Sequence, residues 1–137
     1  MDFLLDTNVI SELRKRSAAE QVVEWARSYK LSQYYISVIT LMEIRSGTEK
    51  IRKKDPAFSK KLDKWYALHL LPVYERRILP VTLPICEIRA SFPPQPTRPD
   101  LDMLIAATAK YHNLTVATRN LTDFQGLGIR TVNPWNH

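Results

Sequence analysis

Five short apolar runs alternate with longer helical stretches along this chain, and that alternation limits the possible folds more than any other feature. The runs are Phe3 to Leu5, Tyr34 to Ile36, Ile78 to Val81, Thr115 to Thr118 and Ile129 to Val132. Between them lie stretches with helical spacing of apolar residues. These are Asn8 to Lys15, with Thr7 or Asn8 near its cap, Ala18 to Tyr29, and Val38 to about Lys53, capped by Ser37. Pro56 helps start a further helix, about Ala57 to Leu71, and Pro72 is expected to stop it. Pro84 to Ala90 reads as a short helix, and a last one begins near Asp100 to Asp102 and ends before Asn113. Short strands separated by helices predict an α/β fold with a parallel sheet covered on both faces. At 137 residues the chain fits one domain, 1–137. Four prolines between Phe92 and Pro99 mark the one loop-like shift in composition, too short for a linker between domains.

Against that framework four acidic residues stand out: Asp6, Glu43, Asp102 and Asp123. Each lies in a segment that otherwise reads as buried or nearly so. Alone, each has an ordinary explanation. Asp6 can form an Asx turn after a strand, Asp102 can cap or complement a helix N-terminus, and Glu43 can sit on a solvated flank. Glu43 shares its side of the helix with Ile39, Thr40, Ser46 and Gly47, while Val38, Leu41, Met42 and Ile44 supply the broad apolar face. Gly47 weakens a helix by about 1 kcal/mol relative to alanine, which suggests a close approach by another backbone or by a substrate. Taken together, the four carboxylates would repel one another and take up protons unless a cation neutralised them. Oxygen-only ligands select Mg²⁺ or Mn²⁺. In open parallel α/β sheets, sites form beyond the carboxyl ends of the strands. Asp6 ends the first strand and Asp123 follows the fourth, so the two become neighbours if those strands are adjacent.

The formal charge is +6, from 20 basic and 14 acidic residues. Setting four acids aside on a metal leaves 20 basic against 10 acidic residues, an excess of +10 around a small acidic pocket. Such a surface suits a polyanion, most directly nucleic acid, although a soluble basic protein would show the same excess. No apolar run approaches the roughly 20 residues that span a bilayer, so no membrane association is expected. The start Met1-Asp2-Phe3 lacks the basic and apolar regions of a secretion signal. A single cysteine, Cys86, cannot form an internal disulfide, and a cytoplasmic location is expected. His69, His112 and His137 lack zinc-ligand spacing with each other or with Cys86. There is no nucleophile elbow, and three glycines do not make a nucleotide cradle.

Four blocks then carry a family resemblance. Leu4-Leu5-Asp6-Thr7-Asn8-Val9-Ile10-Ser11-Glu12-Leu13 resembles the opening of PIN-domain toxins of the VapC type, particularly their FitB-like branch. Ser37-Val38-Ile39-Thr40-Leu41-Met42-Glu43-Ile44-Arg45-Ser46-Gly47 resembles the second block, and Asp102-Met103-Leu104-Ile105-Ala106-Ala107-Thr108-Ala109 the third. Thr118-Arg119-Asn120 with Asp123-Phe124 resembles the fourth, and Val132-Asn133-Pro134-Trp135 the usual ending. Cys86 to Pro99 departs from the pattern, with Ile88-Arg89-Ala90 and a proline cluster where relatives often carry a Trp-Gly pair and a glycine-bearing loop.

The resemblance implies a three-layer α/β/α sandwich around a parallel sheet of four or five strands. It implies an Mg²⁺- or Mn²⁺-dependent ribonuclease, the toxin of a type II toxin–antitoxin pair, restrained by a small antitoxin with a DNA-binding domain. A homodimer is implied as well. The family's acids map onto Asp6, Glu43, Asp102 and Asp123, and its polar helpers onto Thr7 or Asn8, Thr118 and Asn120. On this reading Asp6 and Asp102 are the most direct metal ligands, while Glu43 and Asp123 hold a second ion or orient water. Arg119 and Arg45 are candidates for phosphate contacts, with a surface ion pair as the alternative for either. The rival reading is a nucleic-acid-binding subunit that does not cut and acts with a small DNA-binding partner.

Overall fold

Strand β1, Phe3–Leu5, is buried along its whole length and lies at the centre of the sheet. The structure, a computed structural model, describes residues 1–94 and 97–137. Strands β2 (Tyr34–Ser37), β3 (Ile78–Leu79), β4 (Thr115–Ala117) and β5 (Thr131–Val132) complete a five-stranded sheet of order β3-β2-β1-β4-β5. Every pairing is parallel, with Phe3 opposite Tyr34 on one side and opposite Thr115 on the other. The expected adjacency of the first and fourth strands is therefore present.

Side chains alternate across a strand, and β1 shows it: Leu4 joins one core while Phe3 and Leu5 join the other. On the Leu4 side pack helices α6 (Leu83–Ser91) and α7 (Asp100–His112), through Ile85, Met103, Ile105 and Ala106. Small side chains let α7 press close: Ala106, Ala107 and Ala109 are all fully buried. On the opposite face lie α1 (Thr7–Arg14) and α2 (Glu20–Arg27), through Val9, Ile10 and Trp25. Helix α3 (Val38–Ile51) reaches both cores, with Ile39 in the first and Leu41 in the second. The result is the three-layer α/β/α sandwich expected from the sequence.

Several local expectations change. Pro72 does not end the fourth helix. Helix α4 (Pro56–Trp65) passes through a π turn, Tyr66–Leu70, into α5 (Leu71–Tyr74). The wider turn, closed by Leu71 N–H to Tyr66 O, resets the register so that Pro72 falls in the first turn of α5, where its missing N–H is tolerated. Trp65 and Tyr66 pack on the core, whereas Leu68 is exposed. In α3 the buried face is Ile39, Thr40, Leu41 and Thr48, and Val38 and Met42 face outward. No other backbone approaches Gly47 closely: a Cβ there would meet open space. Helix α7 ends where expected, on Asn113 in the left-handed conformation. The proline-rich stretch falls partly on residues 95 and 96, which lie outside the described residues.

Candidate active site

Crossover helices run against the strands they connect, so helix starts and strand ends share one edge of a parallel sheet. Asp6 lies at the carboxyl end of β1 and is the N-cap of α1, a role expected of Thr7 or Asn8. Its backbone N–H still bonds to Ala117 O (2.9 Å), which continues the β1–β4 ladder to the sheet's edge. Glu43 sits in the second turn of α3, directly after β2. Asp102 lies in the first turn of α7, without capping it, since the N-cap is Pro99. Asp123 belongs to a 3-10 turn, Leu121–Phe124, that follows β4. Four separate elements thus deliver one carboxylate each to the same edge.

Hydrogen bonds tie two of the acids, Asp6 and Glu43, into one network. Asp6 Oδ1 accepts from Thr7 N–H (2.8 Å), and Thr7 Oγ1 donates to Glu43 Oε1 (2.7 Å). Asp6 Oδ2 accepts from Thr118 Oγ1 (2.8 Å), which itself accepts from Asn120 N–H (3.0 Å) and Asn8 Nδ2 (3.4 Å). Asn8 Oδ1 accepts from Arg119 N–H (3.3 Å). Thr7, Asn8, Thr118 and the Asn120 backbone therefore all orient the acidic set, while the Asn120 side chain is exposed.

Burial raises the Asp6 carboxyl above its ordinary range against the pull of the Thr118 and Thr7 bonds, and the charge of Asp123 raises it further. Asp6 is only 5% exposed. Asp102 is pushed up to about 7, first by desolvation and then by the charges of Asp6, Asp123 and Glu43. A side-chain hydrogen bond with Asp123 raises it further. Asp102 thus lies within electrostatic reach of the other three.

Among the described residues the acids do not close into a finished cage of three or more ligands. Uncompensated carboxylates repel one another, and Mg²⁺ keeps several of its own waters, so a complete protein cage is not required. The donors are hard oxygens with a strong electrostatic demand for positive charge, and that fits Mg²⁺ or Mn²⁺.

The two arginines differ. Arg45 bonds to Asp63 (2.9 Å) and stacks on Tyr66, with its guanidinium carbon 5.0 Å from the ring centroid. It belongs to an ion-pair network with Arg52 that joins α3 to α4. Arg119 is exposed and lies over Trp135. Beside Glu43, a cleft of about 290 Å³ is lined by Thr7, Ser11, Arg14, Gly47, Phe58 and Trp65. Ser11 and Arg14 were missed from sequence, although Thr7, Ser11 and Arg14 fall at i, i+4 and i+7, one face of a helix.

A family model of the PIN domain matches residues 3–127. The chain is 37% identical over 140 residues to the toxin FitB of Neisseria gonorrhoeae, covering 97% of this chain and 98% of that one. It is 33% identical over 139 residues to the VapC ribonuclease Y4jK of Sinorhizobium fredii, covering 96% of each. Among solved structures, FitAcB from Neisseria gonorrhoeae superposes with a TM-score of 0.86 at 37% identity, over 98% of this chain and 99% of that one. A DNA-bound VapBC from Salmonella typhimurium superposes with a TM-score of 0.70 at 27% identity, over 98% of each chain.

Proposed function

The chain belongs to the PIN-domain family, and on that premise we propose that it is a divalent-metal-dependent endoribonuclease, the toxin of a toxin–antitoxin pair. The observation that carries this reading is the placement of Asp6, Glu43, Asp102 and Asp123 at the carboxyl edge of the sheet, with Asp102 pushed up to about 7 by burial and then by the charges of the other three. Two of the similar proteins are named as ribonucleases.

Asp6 and Asp102 would hold the ion most directly, with Glu43 and Asp123 completing the oxygen set or orienting water. When bound, Mg²⁺ or Mn²⁺ acidifies an attacking water and offsets negative charge growing on the phosphate. Thr118 and Thr7 hold the Asp6 carboxylate in one orientation, and Thr7 does the same for Glu43. Burial of Asp6 keeps competing solvent away from one side of the set. The net charge of +6 draws the RNA backbone toward this acidic pocket.

Incubating purified, partner-free protein with RNA and Mg²⁺ or Mn²⁺, beside Asp6→Asn, tests the reading. Metal-dependent cleavage by the wild type alone supports it. Equal inertness of both proteins, with both binding nucleic acid, would favour a non-cleaving subunit. That second reading has its own support, because similar chains are found in DNA-bound complexes, FitAB on a DNA fragment among them. A small antitoxin with a DNA-binding domain is therefore part of the proposal, as is a homodimer in the cytoplasm. Light scattering of the free chain and of the co-expressed pair checks the assembly.

A further inference from the structure

Beside the acidic set, Arg119 and Trp135 form a second feature with a chemistry of its own. Arg119 directly follows Thr118, the residue whose hydroxyl holds Asp6. Its main chain is fixed by the N–H bond to Asn8 Oδ1. Its guanidinium carbon lies 4.9 Å from the centroid of the Trp135 ring. Trp135 is anchored in turn: its backbone N–H donates to Asn133 Oδ1 (2.9 Å), and the residue packs against the core that contains Phe3, Val9 and Ala117.

A guanidinium has two faces and an edge of five N–H donors. Stacking on an indole uses one face and fixes the plane. Among the described residues the Arg119 side chain makes no hydrogen bond or ion pair, so its donor edge is turned to solvent. Glu12 is the acid that registers its charge, and that carboxylate already accepts from Ala19 N–H and Lys15. Arg45 and Arg52, by contrast, spend their donors on Asp63, and Arg77 spends its own on backbone carbonyls. Arg119 is therefore a pre-oriented cation with unused donors, one residue from Thr118, which holds Asp6. That position suits a phosphate next to the reacting one in the RNA chain, since a phosphate takes two parallel N–H bonds from such an edge.

We propose that Arg119 forms a subsite for a phosphate flanking the scissile bond, and that Trp135 is the positioning residue that holds its guanidinium in place. This rests on the nuclease reading for the identity of the polyanion, but its test does not depend on cleavage. The test is fluorescence anisotropy of a labelled 2′-O-methyl RNA oligonucleotide in EDTA, over a salt series, with wild type, Arg119→Gln, Trp135→Leu, Trp135→Phe and the double variant Arg119→Gln/Trp135→Leu. Arg119→Gln should weaken binding about 3–10-fold and reduce the salt slope by about 0.7, the value for one phosphate contact on a single strand. Trp135→Leu should reproduce that loss, Trp135→Phe should restore most of it, and the double variant should be no worse than Arg119→Gln alone. Circular dichroism melts separate these effects from unfolding, and Arg119→Gln, an exposed change, tests the subsite even if Trp135→Leu does not fold. In cleavage assays the same variants should raise KM with kcat nearly unchanged. Wild-type affinity and slope in Arg119→Gln would overturn the subsite, and additive losses in the double variant would overturn the role of Trp135. If the wild type binds as described but cuts no RNA, the nuclease reading fails and the subsite stands. If it cuts RNA while these variants bind normally, the reverse holds.

Discussion

Replacing Asp102 by asparagine should stabilise the metal-free protein while removing its response to metal. The Asp102 carboxyl is raised from an ordinary 3.8 to about 7 in the folded state. Such a group is held protonated by the fold, so the fold is penalised once the carboxyl must ionise. The penalty is absent below about pH 4, grows as pH rises toward 7, and is complete above it. Roughly three pH units at 1.4 kcal/mol each gives an upper figure of about 4 kcal/mol. Because the carboxylate is only partly buried, solvent screening reduces this to about 1–2 kcal/mol. Asparagine also loses a favourable interaction with the start of α7, about 0.5 kcal/mol. The net gain at pH 8 is therefore about 1 kcal/mol, or about 3–5 °C in Tm for a domain of this size. Thermal melts in EDTA at pH 5 and pH 8 measure it. The variant should melt higher than wild type at pH 8 and show little gain at pH 5. Adding Mg²⁺ or Mn²⁺ at pH 8 should raise the wild-type Tm and leave the variant's almost unmoved. A variant that melts lower than wild type at pH 8, or gains equally at both pH values, would show that burial and the neighbouring charges do not hold Asp102 protonated.

Other perturbations probe separate parts of the account. Thr118→Val removes the hydroxyl that orients Asp6 and should lower Mn²⁺ affinity by about 10–100-fold, measured by titration calorimetry; unchanged affinity would remove Thr118 from the site. Thr40 carries a buried hydroxyl with no partner among the described residues, so Thr40→Val should stabilise the fold by about 1 kcal/mol in urea unfolding. A loss of stability there would mean that the hydroxyl is satisfied in solution. Asp63→Asn uncouples Arg45 and Arg52 and should lower Tm slightly at low salt, with no difference from wild type in 1 M salt.

Much of this arrangement is legible in the sequence. A run such as Phe3 to Leu5, followed at once by Asp6, announces a strand whose carboxyl end carries a polar group, and parallel topology does the rest. Asp123 is near Asp6 because β4 pairs with β1, a consequence of chain direction and crossover handedness. Other features depend on tertiary context that periodicity does not carry. Val38 and Met42 look like core residues, yet α3 starts at the sheet edge and turns Ile39 and Thr40 inward instead. Pro72 reads as a stop, and only a π turn upstream lets the helix resume around it. Gly47 suggested a close contact, and the structure has open space beside Glu43. The pairing of Arg119 with Trp135 joins residues 16 positions apart through the final turn of the chain, and no local pattern marks it.

One cation shared by Asp6 and Asp102 is the centre of the proposed chemistry. Anomalous diffraction from crystals of the protein saturated with Mn²⁺ tests that directly. The expected result is a manganese peak within about 2.0–2.3 Å of an oxygen from each carboxylate, with waters filling most of the remaining positions. A peak bound elsewhere, with the Asp6 and Asp102 carboxylates directed away from each other in the saturated crystal, would contradict it.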